Sequence, residues 1–383
     1  MSWRAVNGGS LHRASFNWGR ATLIDSMIRT VGRLVYTPPV VPQDVAHSGP
    51  FGKLKVALVA DYFTSVCLSA ECRIRSLTPD NYRDVIGKWR PDLVFVESAF
   101  HGVQGEWRYK LARQPKYIRM SRPRTIRRLA QLVRDKGIPA VFWNKDDSAF
   151  FDAFIDVARL FPYVFTTDNT CLPRYAAQLP SGSRADVLAM PYQPAFHHFT
   201  GFAFEKNEAC FVGSYYRNIL NARREVMDMM FDACEHTAMP LHVFDRNSHR
   251  LSRFFEFRYP RKPSLHMHDT IPYTETASVY KRYTVSLNVN SVTDSETMCS
   301  RRLLEILACG GILITNGSPV VDKVFRDYCH VITSPEQMRE LLARLRFGPS
   351  ADDRDRAEAG AAYVSKAHTW QCRLEQLADS IDF

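Results

Sequence analysis

The clearest indication of the fold is the stretch Ser295–Asn316, which reads SETMCSRRLLEILACGGILITN. A polar run leads into apolar residues at helical spacing, which stop at Gly310-Gly311 and resume as the strand-like ILIT. A helical period followed by a short β-branched run predicts one helix and one buried strand of an α/β domain. We expect Gly310 to end the helix in the left-handed conformation that glycine tolerates.

The start of this predicted helix has the features of an anion site. Ser295 or Thr293 would cap the helix, and Thr297 would lie in its first turn, where free N–H groups attract a diphosphate. Arg301 and Arg302 add cations, and Glu305 could bind the two hydroxyls of a ribose. A plainer alternative stays open, in which Glu305 pairs with the arginines three or four residues before it.

Four segments of the first half follow a shared pattern. Each is a short apolar run that ends in a polar cluster: KVALVAD (55–61), PDLVFVES (91–98), IPAVFWNKDD (138–147) and YVFTTDN (163–169). Helix-period stretches separate them, and the alternation starts again at EACFVGSYY (208–216). Such strands predict parallel sheets covered by helices on both faces, with ligands at the carboxyl ends of the strands.

The sequence therefore predicts an α/β protein with two Rossmann-like domains that face each other across a cleft. A chain of 383 residues is long enough for two domains. We expect an N-terminal extension and linker over residues 1–50, a first domain over 51–196, a second domain over 197–350 and a C-terminal helical tail over 351–383.

Charge is concentrated in one part of the chain. The formal net charge is +10, and Trp107–Gly137 alone contains eleven Lys or Arg and one acidic residue. A basic segment of this kind suits a phosphate-bearing partner, which could be anionic lipid, a polyanionic acceptor or nucleic acid. A solvated helix face and loop is the alternative that stays open.

Cysteine usage and hydropathy indicate the cellular compartment of the protein. The nine scattered cysteines contain no CxxC pair, which favours reduced thiols over a disulfide or zinc framework. No apolar run approaches the roughly 20 residues that span a bilayer. We predict a cytoplasmic protein with peripheral contact at the inner face of the membrane through residues 107–137. We predict neither a metal site nor a cofactor.

Nucleotide-binding motifs narrow the function further. Neither GxGxxG nor GxxxxGK[ST] occurs, which disfavours dinucleotide-dependent dehydrogenases and P-loop NTPases. VGSYYRN (212–218) instead places a small-residue turn after a strand. Gly213 and Ser214 there would let a ligand approach the backbone, and Arg217 could bind a phosphate.

A family resemblance covers roughly residues 54–370 and is carried by six ordered runs. They are DYFTSVCLSAEC, PDLVFVESAFHGVQGEWRYKLA, VFWNKDDSAFFDAFIDVARLFPYVFTTDNTCLPRY, FVGSYYRN, LNVNSVTDSETMCSRRLLEILACGGILITN and HTWQCRL. In these runs the chain resembles the CgeB-like glycosyltransferases of the GT-B fold. The resemblance implies a cytoplasmic bacterial enzyme that moves a sugar from a nucleotide donor to a cell-envelope or capsule-type glycan. It also implies that the C-terminal helix packs back on the first domain.

The resemblance departs from one pattern of retaining GT-B enzymes. Those enzymes place two glutamates with seven residues between them, and Glu305 resembles the second. The position of the first is Thr297, and Glu296 lies one residue off that register, which on a helix is a rotation of about 100°. The anomeric outcome of the reaction therefore stays open at this point.

The resemblance and the residue patterns together give a set of predicted site residues. We expect metal-independent transfer, with the leaving diphosphate neutralised by helix N-termini and cations. The predicted donor-binding residues are Gly213, Ser214, Tyr215, Arg217, Asp245, Arg246, Asn290, Ser295, Thr297, Arg302 and Glu305. The predicted residues of the acceptor side are Asn144, Lys145 and Asp146. Candidates for a general base, which an inverting enzyme would need, are Asp61, Glu97 and His101.

The predicted partners are a nucleotide sugar and a glycan acceptor that is lipid-linked or carries phosphate. One alternative is a GT-B-like subunit that binds nucleotide without catalysis and acts as a scaffold for a glycan-synthesis complex. Nucleic-acid binding is disfavoured, because it would explain the basic segment but not the paired α/β domains.

Overall fold

The structure is a computed structural model that describes residues 40–113, 124–381 and 383. Most of the predicted N-terminal extension, residues 1–39, therefore lies outside the described residues. So do residues 114–123 of the basic segment 107–137.

The first domain is built on a parallel sheet of six strands. The strands are β1 Lys55–Val59, β2 Arg73–Ser76, β3 Leu93–Glu97, β4 Ala140–Asn144, β5 Tyr163–Thr166 and β6 Arg184–Val187. Their order across the sheet is β2-β1-β3-β4-β5-β6, and all neighbours are parallel. The chain proceeds in opposite directions from β1, so the crevice between the carboxyl ends of β1 and β3 is the switch point where such sheets bind ligands.

The second domain has a sheet of the same size. Its strands are β7 Lys206–Gly213, β8 Leu241–Asp245, β9 Leu265–His268, β10 Tyr283–Asn288, β11 Ile312–Asn316 and β12 His330–Ile332. The order is β12-β11-β10-β7-β8-β9, again with parallel neighbours. This is the order of a nucleotide-binding sheet, and its switch point lies between the ends of β7 and β10.

Helices connect the strands and cover both sheets. They are α1 Tyr62–Leu68, α2 Tyr82–Asp84, α3 Arg124–Asp135, α4 Phe151–Ala158, α5 Leu172–Gln178, α6 Asn221–His236, α7 Thr276–Arg282, α8 Arg301–Ala308, α9 Pro335–Leu345, α10 Ala351–Ala367 and α11 Trp370–Ser380. The central strands β3, β4, β10 and β11 are buried along their whole length, as expected of strands covered on both faces.

The two C-terminal helices belong to different domains. Helix α10 packs on α8 of the second domain. Helix α11 crosses back, and Trp370 packs edge-on against Phe95 and Trp143 of the first sheet. Arg373 fixes this crossing, because its Nε donates to the carbonyl of Ala189 at 2.8 Å. The predicted return of the C-terminal helix to the first domain is confirmed.

The stretch Ser295–Asn316 forms α8 and β11, but the helix starts later than predicted. Its N-cap is Ser300, whose backbone N–H donates to Asn290 Oδ1 at 2.9 Å, and the prediction of a cap at Ser295 or Thr293 is wrong. Gly310 has a φ of 73° just after the helix, as predicted. All nine cysteines are free, and eight of them are buried.

Candidate functional site

Glu97 lies at the switch point of the first sheet and is fully buried. Its Oε1 accepts the backbone N–H of Asp61 at 2.5 Å, and its Oε2 accepts the hydroxyl of Thr64 at 2.5 Å. Burial raises the pKa of Glu97 to about 7, although the Lys145 ammonium at 3.8 Å pulls the other way. Because none of its surface is exposed, Glu97 cannot touch a substrate directly in this conformation and acts by positioning Asp61.

Asp61 holds the loop that follows β3. Its Oδ1 accepts the backbone N–H groups of His101 at 3.1 Å and Gly102 at 2.8 Å, and its Oδ2 accepts that of Phe100 at 3.3 Å. The side chain of Asp61 is nevertheless 24% exposed. His101 is half-buried within the same loop. Of the three predicted base candidates, Asp61 therefore combines an exposed carboxylate with a fixed position.

Lys145 connects the carboxylates of this switch point. Its Nζ lies 2.9 Å from Asp146 Oδ2, 3.5 Å from Asp61 Oδ2 and 3.8 Å from Glu97 Oε1. Burial alone would lower the pKa of Lys145, but these three carboxylates raise it above its ordinary value. Asp146 also accepts the hydroxyl of Ser98 at 2.7 Å. The result is a partly exposed cluster of one cation and three acids.

Asn144 does not join this cluster. Its side chain is fully buried, and its Nδ2 donates to Asp147 Oδ1 at 2.7 Å and to the hydroxyl of Tyr175 at 3.0 Å. The prediction that Asn144 lines the acceptor side of the cleft is wrong, because its amide belongs to a buried network beneath that surface. Lys145 and Asp146 keep 15% and 25% of their side chains exposed.

Arg302 lies across the switch point of the second sheet. Its Nε donates to the carbonyl of Val212 at 2.6 Å, and its guanidinium lies 4.7 Å from the ring centroid of Phe211. A Cβ on Gly213 would lie 2.6 Å from Nη2 of Arg302. Gly213 therefore makes room for this arginine, whose Nη1 also reaches Asn288 Oδ1 at 3.4 Å. Arg302 therefore has a structural role, in which it joins β7 to β10.

The predicted donor residues after β7 and β8 have different surroundings. Ser214 is buried, and its Oγ accepts Nδ2 of Asn247 at 2.9 Å. Tyr215 packs in the core with its hydroxyl on Asp228 Oδ1 at 2.7 Å, so a donor contact for Tyr215 finds no support in this packing. Asp245 is buried, which raises its pKa. Arg217 is exposed on the turn after β7.

Asn290 organises the end of β10. Its Oδ1 accepts the N–H of Ser300, the cap of α8, and its Nδ2 donates to Thr315 Oγ1 at 3.2 Å. Because Asn290 is almost fully buried, its amide fixes the start of the helix against β11. The structure therefore gives it a positioning role at the switch point.

Ser295 and Thr297 face the first domain. Thr297 Oγ1 donates to the carbonyl of Thr167 at 2.8 Å and accepts the N–H of Asn169 at 2.9 Å. Ser295 Oγ lies 3.4 Å from Asn169 Oδ1. Glu296 points elsewhere, to Lys323 at 3.4 Å. In this conformation both hydroxyls join the two domains, which is incompatible with the predicted place of Thr297 in the first turn of α8.

Glu305 forms the ion pair that the plainer alternative describes. Nε of Arg301 donates to Glu305 Oε1 at 2.7 Å, and Glu305 is only 4% exposed. Burial would raise the pKa of Glu305, but Arg301 foremost, with His197 and Tyr273, holds it below its ordinary value. The carboxylate is therefore kept ionised one turn into α8.

Phe63 brings the first domain to this pair. The guanidinium of Arg301 lies 4.3 Å from the ring centroid of Phe63, that of Arg246 lies 5.5 Å from it, and the ring of Tyr273 lies 5.0 Å away. Phe63 stands in α1, which follows Asp61, so the two switch points meet here. The sequence indicated both Arg301 and Arg302 as cations, but only Arg302 was among the predicted donor-binding residues, and nothing in the sequence singles out Phe63 or Tyr273.

Two cavities of the structure lie apart from this meeting point. A cavity of about 490 Å³ is lined by residues of β12, α9 and α10, among them Arg344 and Arg356. Another, of about 510 Å³, lies between α5 and β6. Within residues 40–113, 124–381 and 383, no group of three or more His, Cys, Asp or Glu is arranged to hold a metal ion. No helix in that part of the chain is long and apolar enough to cross a membrane.

Comparisons with known proteins agree with this geometry. Residues 223–379, which lie in the second domain and the C-terminal helices, match the glycosyl transferase-like family. This match supports the predicted enzyme class, glycosyltransferase. The finer prediction of a CgeB-like relative stays a prediction. No curated protein matches the chain.

Several solved structures share the fold at low sequence identity. An alpha-glucosyltransferase in complex with UDP and DNA has a TM-score of 0.57 and 8% identity, over 86% of this chain and 99% of that one. HepE from Anabaena, in complex with UDP-glucose, has a TM-score of 0.53 and 9% identity over 86% and 99%. Sucrose-phosphate synthase from Thermosynechococcus elongatus has a TM-score of 0.51 and 8% identity over 85% and 98%. These likenesses confirm the predicted two-domain GT-B fold.

Proposed function

We propose that the chain transfers a sugar from a nucleotide-activated donor to a glycan acceptor of the cell-envelope or capsule type. The observation that carries this proposal is the Arg301–Glu305 pair at the start of α8, beside the switch point of the second sheet. Arg301 of this pair lies against Phe63, and Phe63 follows Asp61 of the acidic switch point of the first sheet by two residues. A donor site and an acceptor site that adjoin in this way suit group transfer between two bound substrates.

In this proposal the donor diphosphate contacts Arg246 and Arg301, and the ribose hydroxyls contact Glu305. Arg246 is exposed, and 23% of the Arg301 side chain is exposed, so both guanidinium groups can reach a ligand. Arginines of this kind bind phosphate oxygens through paired N–H groups. Since HepE shares the fold and is described with UDP-glucose, UDP-sugars are the first donors to test.

The acceptor hydroxyl would meet the partly exposed cluster of Asp61, Lys145 and Asp146. In an inverting reaction Asp61 would take the proton of that hydroxyl, with Glu97 holding Asp61 through its backbone N–H. In a retaining reaction the same groups would orient the acceptor. The configuration of the new glycosidic bond, read by proton NMR of the product, distinguishes the two reactions.

We infer that the two cations, Arg246 and Arg301, replace a metal ion in neutralising the leaving diphosphate. Fixed guanidinium groups supply this stabilisation without a bound metal. Turnover should then persist after exhaustive treatment with a chelator. A requirement for a divalent cation that only Mg²⁺ or Mn²⁺ restores would contradict this part of the proposal.

The donor assignment is tested by ligand-induced thermal stabilisation with a panel of nucleoside diphosphates and nucleotide sugars. A ligand at 100 times its Kd adds about 2.7 kcal/mol to the free energy of unfolding. We expect one member of the panel to stabilise the wild type and to stabilise Glu305→Gln much less. Glu296→Gln is the matched control, because Glu296 stands on the same segment but is paired with Lys323 away from the site. No stabilisation of the wild type by any member would overturn the assignment.

A second candidate is a scaffold subunit that binds nucleotide without catalysis. The observation that favours it is the engagement of the Ser295 and Thr297 hydroxyls by the first domain, which leaves fewer groups to bind a donor. A chain that binds nucleoside diphosphates but neither transfers sugar nor slowly hydrolyses any nucleotide sugar would be such a scaffold.

We also propose that the protein works at the inner face of the membrane, where a lipid-linked acceptor would be presented. The described part of the basic segment supports this with the exposed side chains of Arg124, Arg127, Arg128, Arg134 and Lys136 on or beside α3. Fractionation of cells that produce the protein, with and without a high-salt wash, tests the location.

A further inference from the structure

The loop between β8 and β9 exposes three large apolar side chains within five residues. Leu251 is 46% exposed, Phe254 is 54% exposed and Phe255 is 62% exposed. No other stretch of equal length in the described chain exposes three large apolar side chains. Contiguous exposed apolar groups of this kind mark interaction surfaces, whereas scattered ones are ordinary.

The backbone of this loop is held in place by the rest of the domain. The N–H of Phe255 donates to the carbonyl of Ser252 at 3.1 Å, and the N–H of Arg217 donates to the carbonyl of Glu256 at 2.9 Å. Two further aromatics of the same loop point inward: Phe257 packs edge-on against Tyr216, and the hydroxyl of Tyr259 donates to the carbonyl of Gly213 at 3.1 Å. Phe254 and Phe255 therefore project outward from a fixed base.

Positive charge surrounds the three apolar side chains. Residues 246–262 contain six Lys or Arg and one acidic residue, Glu256. Arg258 and Arg261 are exposed, and the guanidinium of Arg253 lies 4.7 Å from the ring centroid of Phe254. A partner that fits this surface must offer both an apolar phase and negative charge.

We propose that this loop, residues 250–261, docks the protein on an anionic lipid surface. Leu251, Phe254 and Phe255 enter the headgroup region, and the arginines contact lipid phosphates, which is the combination that holds proteins at membrane interfaces. An aliphatic side chain such as Leu251 lacks the π-face with which aromatic rings stack on nucleobases and sugar rings, so a surface that combines it with two phenylalanines favours lipid over a nucleic acid or a glycan.

Helix α3 in the basic segment 107–137 offers positive charge without an exposed apolar anchor. Its cations are exposed, but its apolar residues Ile126, Leu129 and Val133 are buried in the core of the first domain. The helix can therefore attract an anionic surface without entering it. The loop 250–261 supplies the apolar anchor that α3 does not.

The position of the loop gives the docking a consequence for the acceptor. The segment that leads into it begins at Arg246, which faces Phe63 at the meeting point of the two domains. Docking through this loop would hold the meeting point of the two domains close to the lipid surface, where the sugar acceptor would be lipid-linked. This last step rests on the proposed function, whereas the docking itself does not.

Vesicle co-sedimentation of the full chain tests the docking. Vesicles are made of phosphatidylcholine alone or of equal parts phosphatidylcholine and phosphatidylglycerol. We expect binding to the anionic vesicles only, and at least a tenfold loss of affinity in the double variant Phe254→Ser/Phe255→Ser. Removing two cations in Arg258→Gln/Arg261→Gln should cost about tenfold or more. Phe347→Ser is the matched control, because Phe347 is 89% exposed but stands alone between α9 and α10.

A fluorescent reporter gives an independent measurement that does not depend on loss of binding. Tryptophan emission from Phe254→Trp should be quenched by brominated acyl chains, and the emission gained in Phe347→Trp should not. Stabilisation by nucleoside diphosphate should stay unchanged in all of these variants, which separates the docking from the donor site.

Three outcomes would overturn the proposal. The first is vesicle binding that survives in Phe254→Ser/Phe255→Ser but is lost in Arg127→Gln/Arg128→Gln, which would assign the membrane contact to α3. The second is binding to duplex DNA or a polyanionic glycan, lost in the loop variants, without binding to vesicles. The third is a dimer that becomes a monomer in Phe254→Ser/Phe255→Ser, which would make the loop a contact between two copies of the chain.

Discussion

Arg301 and Glu305 form an ion pair of 2.7 Å across one turn of α8, with both side chains largely withdrawn from water between the two domains. Glu305 is the more deeply buried partner, with 6% of its side chain exposed against 23% for Arg301. An isolated charge would be costly at this depth, so each group depends on the other. A donor that binds Glu305 or Arg301 must therefore compete with an existing contact.

Glu305→Gln should destabilise the fold by about 1–3 kcal/mol, because it leaves Arg301 without its counter-charge while part of that side chain stays in water. The pKa of Glu305 is lowered in the folded state, so its stabilisation is present above the unfolded pKa near 4.5 and is lost as the pH falls below it. Urea unfolding across this pH range should show the difference between wild type and variant shrinking toward acid. Glu296→Gln should change stability little at any pH.

Glu97 should make the opposite contribution to the pH dependence. Burial raises its pKa from 4.5 to about 7, so between these values the folded protein holds a proton that the unfolded chain has released. Stability therefore falls as the pH rises through this window, by about 1–3 kcal/mol for this group. Glu97→Gln should lack this pH dependence, so the free energy of unfolding of the variant should rise relative to that of the wild type from pH 4.5 to 7.

Denaturant unfolding at several pH values measures the Glu97 effect. Asp147, whose pKa burial also raises to about 7, contributes a similar slope to both proteins and cancels in the difference. Glu358→Gln, at an exposed position of α10, is the control. Parallel curves for wild type and Glu97→Gln would contradict the prediction.

The sequence was sufficient to predict the elements that local pattern controls. The apolar runs predicted as strands form β1, β3, β4, β5, β7 and β11, and Gly310 ends α8, because burial on both faces and a positive φ leave direct marks in composition. Polar residues after β1, β3 and β4 also come together around Lys145, since parallel strands bring their carboxyl ends to one edge.

The sequence could not predict which way individual side chains turn at the site. Ser295 and Thr297 look like the start of a helix, yet hydrogen bonds to Thr167 and Asn169 hold them in a loop, and these partners are over 120 residues away in the chain. The sequence alone does not distinguish Arg301 from Arg302. Arg302 is structural because its Nε donates to the carbonyl of Val212, whereas Arg301 faces the cleft.

Gly213→Ala should destabilise the protein by about 1–3 kcal/mol through overpacking. The added Cβ would lie 2.6 Å from Nη2 of Arg302 and 2.9 Å from Cζ of Phe211, and Arg302 is fixed by its bond to Val212. Gly87→Ala is the matched control, since a Cβ there meets nothing within 4 Å. Chemical denaturation measures both. Equal stability of Gly213→Ala and wild type would show that Arg302 can leave β7 at little cost.

Thr297→Val should weaken the contact between the two domains while leaving each of them folded. The substitution keeps the shape of the side chain but removes the donor to the Thr167 carbonyl at 2.8 Å and the acceptor of the Asn169 N–H at 2.9 Å. Each hydrogen bond is worth about 1 kcal/mol, and the two groups left on the first domain can be hydrated once the cleft opens. We therefore expect a larger radius of gyration in small-angle X-ray scattering and faster proteolysis of residues 291–299. Thr293→Val tests the same change at an exposed position of the same loop and should leave both measurements unchanged. If Thr297→Val scatters like the wild type, the ring contacts of Phe63 with Arg301 and Tyr273 hold the domains together without the threonine.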